Sequence, residues 1–276
     1  MPARNYWKDA RMRYGGGKIV LIVAMVIATS LVIIIFANQQ NHKWEYRGHI
    51  DQNFLDFIQH ASESGQKRLF VDSDGGNVEI AIIASELIQR DGMQVVVREK
   101  CFSACASIIL ASNQNNIVSE GAVIGFHNPI IMWSFIRDYA EEYLGRDMNS
   151  LRPVQLSDRA LKIYENSGID PKVVIPIMEG LGLECLYLQG ERGRVLPSDV
   201  YVVLERDIYV PSATTLSRFN WNLPAGSLPQ EETKHGYAEK ISRLYPDLTI
   251  LVEDPAFEWR RDLEDEDVYI SRIAAC

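Results

Sequence analysis

Residues 69–129 read LFVDSDGGNVEIAIIASELIQRDGMQVVVREKCFSACASIILASNQNNIVSEGAVIGFHNP. The apolar run 69–72 ends in Ser73-Asp74-Gly75-Gly76, the pattern of a strand entering a turn. Asn77 is a good N-cap, and residues 78–89 are apolar at 78, 80–84, 87 and 88, too broadly for a helix with a solvated face. A buried helix is expected there, stopped by Gly92 where a left-handed residue is wanted. Residues 93–97 give a second, β-branched strand, 103–112 a second buried helix of small and aliphatic residues, and 122–126 a third strand closed by His127-Asn128-Pro129. That order of strands and helices implies parallel pairing through right-handed crossovers. Reactive groups in such sheets gather at the carboxyl ends of strands. Gly75-Gly76, Ser103 and His127 are each expected just past one.

Outward from this unit, apolar positions at Ile50, Phe54, Phe57 and Ile58 predict a helix over 49–65 that covers one sheet edge. After Pro129 the pattern turns helical over 133–144, 155–165 and 171–181, the last with Pro171 in its first turn. Residues 186–188 and 200–210 read as strands, 231–244 as a helix and 248–252 as a strand. Residues 253–267 hold eight acids against Arg260 and Arg261 and read as a solvated tail.

The 276 residues carry a net charge of −9, but residues 1–18 alone carry +4, which leaves −13 on the remainder. So acidic a body is a poor match for nucleic acid, because such binding rests on Lys and Arg neutralising phosphates. Residues 19–37, IVLIVAMVIATSLVIIIFA, hold no charge over nineteen positions. A helix of that length spans roughly the ~30 Å hydrocarbon core of a bilayer. The basic flank places 1–18 in the cytoplasm and the rest across the membrane. The apolar run is longer than a cleaved signal peptide needs, and Ile35/Ala37 make a poor cleavage site, so an anchor is expected. The chain thus reads as five segments: a basic cytoplasmic N-terminus (1–18), a transmembrane signal anchor (19–37), a linker (38–48), an α/β domain (49–225) and an acidic C-terminal extension (226–276).

Serine is a weak nucleophile until a base removes its proton. Ser103, opening a helix, would have free amides and the helix dipole nearby, and His127 is a natural base near neutral pH. Glycines at 75 and 76 let the backbone approach a ligand and aim an N–H at a developing oxyanion, with Ala104 as the second donor. Together these are the parts of an acyl-transfer site. Each also has a plain structural use: Gly75-Gly76 as a turn, Ser103 as a helix cap, His127 as a strand-end residue. Of the four cysteines, Cys101 and Cys105 flank Ser103 within bridging distance for an exported domain. No His pair or second Cys-x-x-Cys accompanies them, so no metal site and no cofactor is expected.

DSDGGNV, then CFSACASIILAS, then IGFHNP together resemble the Clp protease proteolytic subunit and its crotonase-superfold relatives. The likeness is nearest to periplasmic ClpP-like proteins that share a Cys-x-Ser-Ala-Cys element; it is strong over 69–129 and weaker to about 203. The resemblance implies an α/β ClpP/crotonase-like superfold of repeated β-β-α/β-α crossover units, here preceded by one transmembrane helix. It implies Ser103 as nucleophile, His127, 24 positions later, as base, and the amides of Gly76 and Ala104 as the oxyanion hole. It also implies a homo-oligomer acting on protein or peptide substrates, here on the periplasmic side of a bacterial inner membrane.

The chain departs from the family at Asp74, where a proline commonly precedes the glycines, and in lacking a clean Arg-Asp motif around 177–199. Glu191 is the favoured third triad member, with Glu184 and Asp199 as alternatives. A Ser-Lys dyad would instead use Lys162 or Lys172. A non-catalytic peptide-binding scaffold of the same fold is the competing function. A coenzyme-A-dependent hydratase ranks last, since fold kinship alone suggests it.

Overall fold

The computed structural model describes residues 44–127, 129–144, 147–188, 200–204, 207–223, 239, 242–243, 246–248 and 250–253. The chain divides into two compact units, Met1–Glu45 and Tyr46–Cys276, and the second carries the α/β fold. The expected anchor at 19–37, most of the expected helix at 231–244 and the tail beyond Glu253 lie outside the described residues. Among the described residues no helix is long and apolar enough to cross a membrane.

The first layer is a four-stranded sheet in the order β1 (Glu45–Arg47), β2 (Arg68–Asp72), β3 (Gln94–Val97), β5 (Ile117–Val118). β2 and β3 run parallel with Leu69 opposite Val95, and β3 and β5 run parallel with Val96 opposite Ile117. The crossover between β2 and β3 is helix α2 (Val78–Asp91). Its ends are set locally: the Asn77 side chain accepts from the Ile80 amide, and Gly92, left-handed at φ 60°, donates its amide back to Ile88 and Gln89. Helix α1 (Gln52–Glu63), capped by Asp51, packs on α2 and buries Phe54, Leu55, Ile58 and Ala61. Each large side chain so buried contributes about 1.5–3 kcal/mol.

The second layer begins where the sequence pattern predicts none. After Val97 the chain bends and forms β4 (Lys100–Phe102), which pairs in parallel with β6 (Val123–Gly125), Cys101 opposite Ile124. The bend is held by one carboxylate. Oδ1 of buried Asp72, the last residue of β2, accepts the amides of Arg98 (3.0 Å), Glu99 (2.6 Å) and Lys100 (3.2 Å). Ser73 then continues the chain alongside β4, its amide donating to Lys100 and its carbonyl accepting from Phe102.

Helices α3 (Met132–Leu144) and α4 (Arg152–Ser167) pack on each other, and α4 packs on α2. A short 3₁₀ turn (Pro171–Val173) leads into α5 (Val174–Gly180). The apolar run expected as one strand over 200–210 is two. β8 (Val200–Leu204) pairs antiparallel with β7 (Leu183–Leu188), whereas β9 (Ile208–Val210) joins the second layer through Tyr209, which exchanges both backbone bonds with Phe126. Helix α6 (Ala213–Arg218) comes next in the chain. β10 (Ile250–Val252), from the segment expected as an extension, runs parallel to β9, and Phe102, Val123, Ile208, Val210 and Val252 form one buried cluster. Glu253 corrects the expectation of a solvated tail at its first residue. It is buried, and its carboxylate accepts from the Tyr209 hydroxyl (2.7 Å), the Ser212 amide (2.6 Å) and the Thr215 hydroxyl (2.5 Å).

Asp72→Ala leaves three amides without their acceptor and is expected to cost about 3 kcal/mol. That corresponds to a fall in Tm of about 6–12 °C by circular dichroism, and a fall under about 2 °C would show that the bend does not need the carboxylate.

Candidate active site

β4 delivers the chain to Ser103, whose backbone is left-handed at φ 53°. Ser103 does not open the expected regular helix with its side chain as the cap. Ala104 is the cap residue, Cys105–Ile109 is a π turn in which the Leu110 amide donates to the Cys105 carbonyl, and Leu110–Ser112 tightens to 3₁₀. Ser103 contributes its carbonyl instead, which accepts the Ser107 amide (2.8 Å) and hydroxyl (2.9 Å). A non-glycine residue in this region costs on the order of 1–3 kcal/mol and persists only when its surroundings impose it.

Three neighbours impose it here. The Ser103 amide donates to the Gly125 carbonyl at 2.9 Å, which fixes the turn to the end of β6. Cys101 and Cys105 are joined by a disulfide, their Cα atoms 5.2 Å apart, so the turn is bracketed covalently. Gly75 closes the third side: a Cβ there would lie 2.7 Å from the Phe102 carbonyl oxygen and 2.7 Å from Ser103 Cβ. Gly75 also has φ 93° and Gly76 φ 146°, conformations that L side chains rarely adopt.

Gly76 forms a parallel bridge with Ile50 through the Gly75 carbonyl and the Asn77 amide. In such a bridge the central residue's own amide faces away from the partner. Among the described residues the Gly76 and Ala104 amides have no hydrogen-bond partner. These are the two donors expected of an oxyanion hole, and Gly75 lies between them, since its Cβ would also meet the Ala104 nitrogen at 3.2 Å.

His127 follows Phe126 just past β6 and is exposed. It shares a cleft of about 250 Å³ with Ser103, Phe102, Gly125, Ile208, Leu248, Asp74 and Asp207. Among the described residues no hydrogen bond joins His127 to Ser103. Asp74, just before the glycine pair, is paired with Lys100, whose Nζ lies 2.7 Å from one carboxylate oxygen and 2.8 Å from the other.

For the third member, Glu191 and Asp199 lie outside the described residues, and Glu184 lies in β7. Neither Lys162, exposed on α4, nor Lys172 is among the residues lining the cleft. Among the described residues, the acid that lines it with Ser103 and His127, besides Asp74, is Asp207. Pairing of Phe126 with Tyr209 sets Ile208 opposite His127 and Asp207 one residue further on. Its signal in the sequence is the Arg206-Asp207 dipeptide, an Arg-Asp pair that interrupts the apolar run 200–210 just beyond the 177–199 window in which that motif is expected.

No protein-family model and no curated protein matches the chain. Among solved structures it is similar to a mutant of ClpP1 from Listeria monocytogenes, at 16% identity and a TM-score of 0.32, over 48% of this chain and 77% of that one. It is similar to a mutant of the 1510-N membrane-bound stomatin-specific protease at 13% identity and a TM-score of 0.27, over 43% of this chain and 68% of that one. A third similar structure is the 1510-N membrane protease specific for a stomatin homolog from Pyrococcus horikoshii, at 17% identity and a TM-score of 0.22, over 43% of this chain and 63% of that one.

Gly75→Ala forces its methyl against backbone that cannot swing away, at a positive φ. It is expected to destabilise the fold by about 2 kcal/mol or more, read as a fall in Tm of at least about 4 °C; a variant as stable as the parent would show that the turn at Ser103 is loosely packed.

Proposed function

We propose that the chain is a membrane-tethered serine peptidase of ClpP/crotonase-like fold that cleaves proteins or peptides outside the cytoplasm. One observation carries it: a serine held left-handed between a strand and a helix, beside two amides that have no partner among the described residues, in a cleft shared with a histidine. A strand-turn-helix of this kind is how other hydrolases present a nucleophilic serine.

In this mechanism His127 takes the Ser103 proton as Oγ attacks the substrate carbonyl. The Gly76 and Ala104 amides receive the oxyanion, each such donor contributing roughly 3–4 kcal/mol in measured systems. His127 then protonates the leaving amine, and water releases the acyl group by the same steps in reverse order. Asp207 is the acid that orients His127, in place of Glu191, Glu184 or Asp199. The basic flank and charge-free run at 19–37 support the tether, and the Cys101–Cys105 disulfide suits an oxidising compartment on its far side. Self-association belongs to the same proposal.

The second reading is a non-catalytic peptide-binding scaffold. It is favoured by the absence, among the described residues, of a hydrogen bond from His127 to Ser103. A fluorophosphonate probe separates the two: capture is expected for the wild type and absent in Ser103→Ala, and Asp207→Asn is expected to slow it by about 10²–10⁴. Equal labelling of wild type and Ser103→Ala would exclude Ser103 as the reactive group. An Asp207→Asn variant that reacts at the wild-type rate would remove Asp207 from the mechanism.

A further inference from the structure

The short helix after Ser103 is held by side chains, three of them from outside it and one, Ser112, from its own 3₁₀ end. Four consecutive carbonyls each accept a side-chain donor: Ser107 from the Tyr164 hydroxyl (2.5 Å), Ile108 from Ser85 (3.1 Å), Ile109 from Ser112 (2.6 Å) and Leu110 from Asn116 (2.9 Å). A slipped π register and a 3₁₀ end change which carbonyls meet backbone amides, and a buried carbonyl needs a partner. Ser85 serves the middle of the helix and Asn116 the part remote from Ser103. Tyr164 serves the near end, because the Ser107 whose carbonyl it holds gives both its amide and its hydroxyl to the Ser103 carbonyl.

Tyr164 is also linked to the histidine side of the cleft. It is fully buried on α4, and its ring meets Trp221 edge-on at 5.7 Å and 78°. Trp221 in turn meets Phe126 edge-on at 5.7 Å and 80°, and Phe126 immediately precedes His127. Burial pushes the Tyr164 hydroxyl well above its ordinary range, so it remains a donor at any physiological pH.

We propose that Tyr164 is a positioning residue: its hydroxyl fixes the π turn that presents Ser103, and its ring, through Trp221 and Phe126, ties that turn to the strand end carrying His127. This rests on the peptidase reading for its consequence but not for its geometry. A tyrosine that merely filled the core would be replaceable by phenylalanine without local effect, since the ring and its contacts stay.

The test compares full-length wild type with Tyr164→Phe by three measurements: fluorophosphonate capture resolved into KI and kinact, Tm, and amide hydrogen exchange. Tyr164→Phe is expected to lower kinact by about tenfold or more while KI stays within about twofold and Tm falls by no more than about 2–4 °C. Exchange at the Ser107 and Leu110 amides is expected to rise by about tenfold, with the α2 amides unchanged. Unchanged kinact with unchanged exchange would overturn the proposal, and so would faster exchange spread over the whole domain. If the wild type is not captured at all, the serine reading fails, and exchange at Ser107 and Leu110 still decides whether Tyr164 holds the turn.

Discussion

Gly75 lies so close to the turn at Ser103 that a methyl group on it would sit 2.7 Å from the Phe102 carbonyl oxygen and from Ser103 Cβ. This contact joins the two halves of the site. On one side is the end of β2 with its glycine pair; on the other is the end of β4 with the serine. Only a residue without a side chain lets them meet, and their meeting helps to hold Ser103 in a conformation that its own preferences oppose. The disulfide across Cys101 and Cys105 and the bond from Ser103 to the Gly125 carbonyl act on the same turn from its other sides.

That contact requires β4 to leave the first sheet. Asp72 supplies the cause, gathering three successive amides at 98–100 onto one carboxylate oxygen and so turning the chain out of β3. The second layer that results is completed from distant sequence. β6 pairs with β4, β9 meets Phe126, and β10 aligns with β9, with Glu253 hydrogen-bonded across to Tyr209, Ser212 and Thr215. Ser103, His127 and Asp207 thus reach one cleft from three strand ends.

Local signals were legible in the sequence. The apolar breadth of 78–89, the Asn77 cap and the Gly92 stop gave α2 nearly to its ends, and the glycine pair, Ser103 and His127 do stand just past strands. What was not legible depends on partners far along the chain. β4 is three residues long, and the carboxylate that places it lies 28 residues before its first residue. Ser103-Ala104 carries no glycine to advertise a left-handed turn, so helix propensity pointed the wrong way and tertiary contacts overrode it. Glu253 looked like the first acid of a charged tail because its partners lie about forty residues back in β9 and α6. Asp207 is hidden differently: the Arg206-Asp207 pair is visible in the sequence, but it sits inside an apolar run that reads as a single strand over 200–210.

The most direct test is a structure of the protein after reaction with a peptidyl boronate. A tetrahedral adduct is predicted on Ser103 Oγ, with one boronate oxygen within about 3.1 Å of the Gly76 and Ala104 amides. His127 is predicted to lie within hydrogen-bond reach of the adduct, with Asp207 behind it. Boron bound elsewhere, or a Ser103 hydroxyl left unmodified at saturating reagent, would contradict the account.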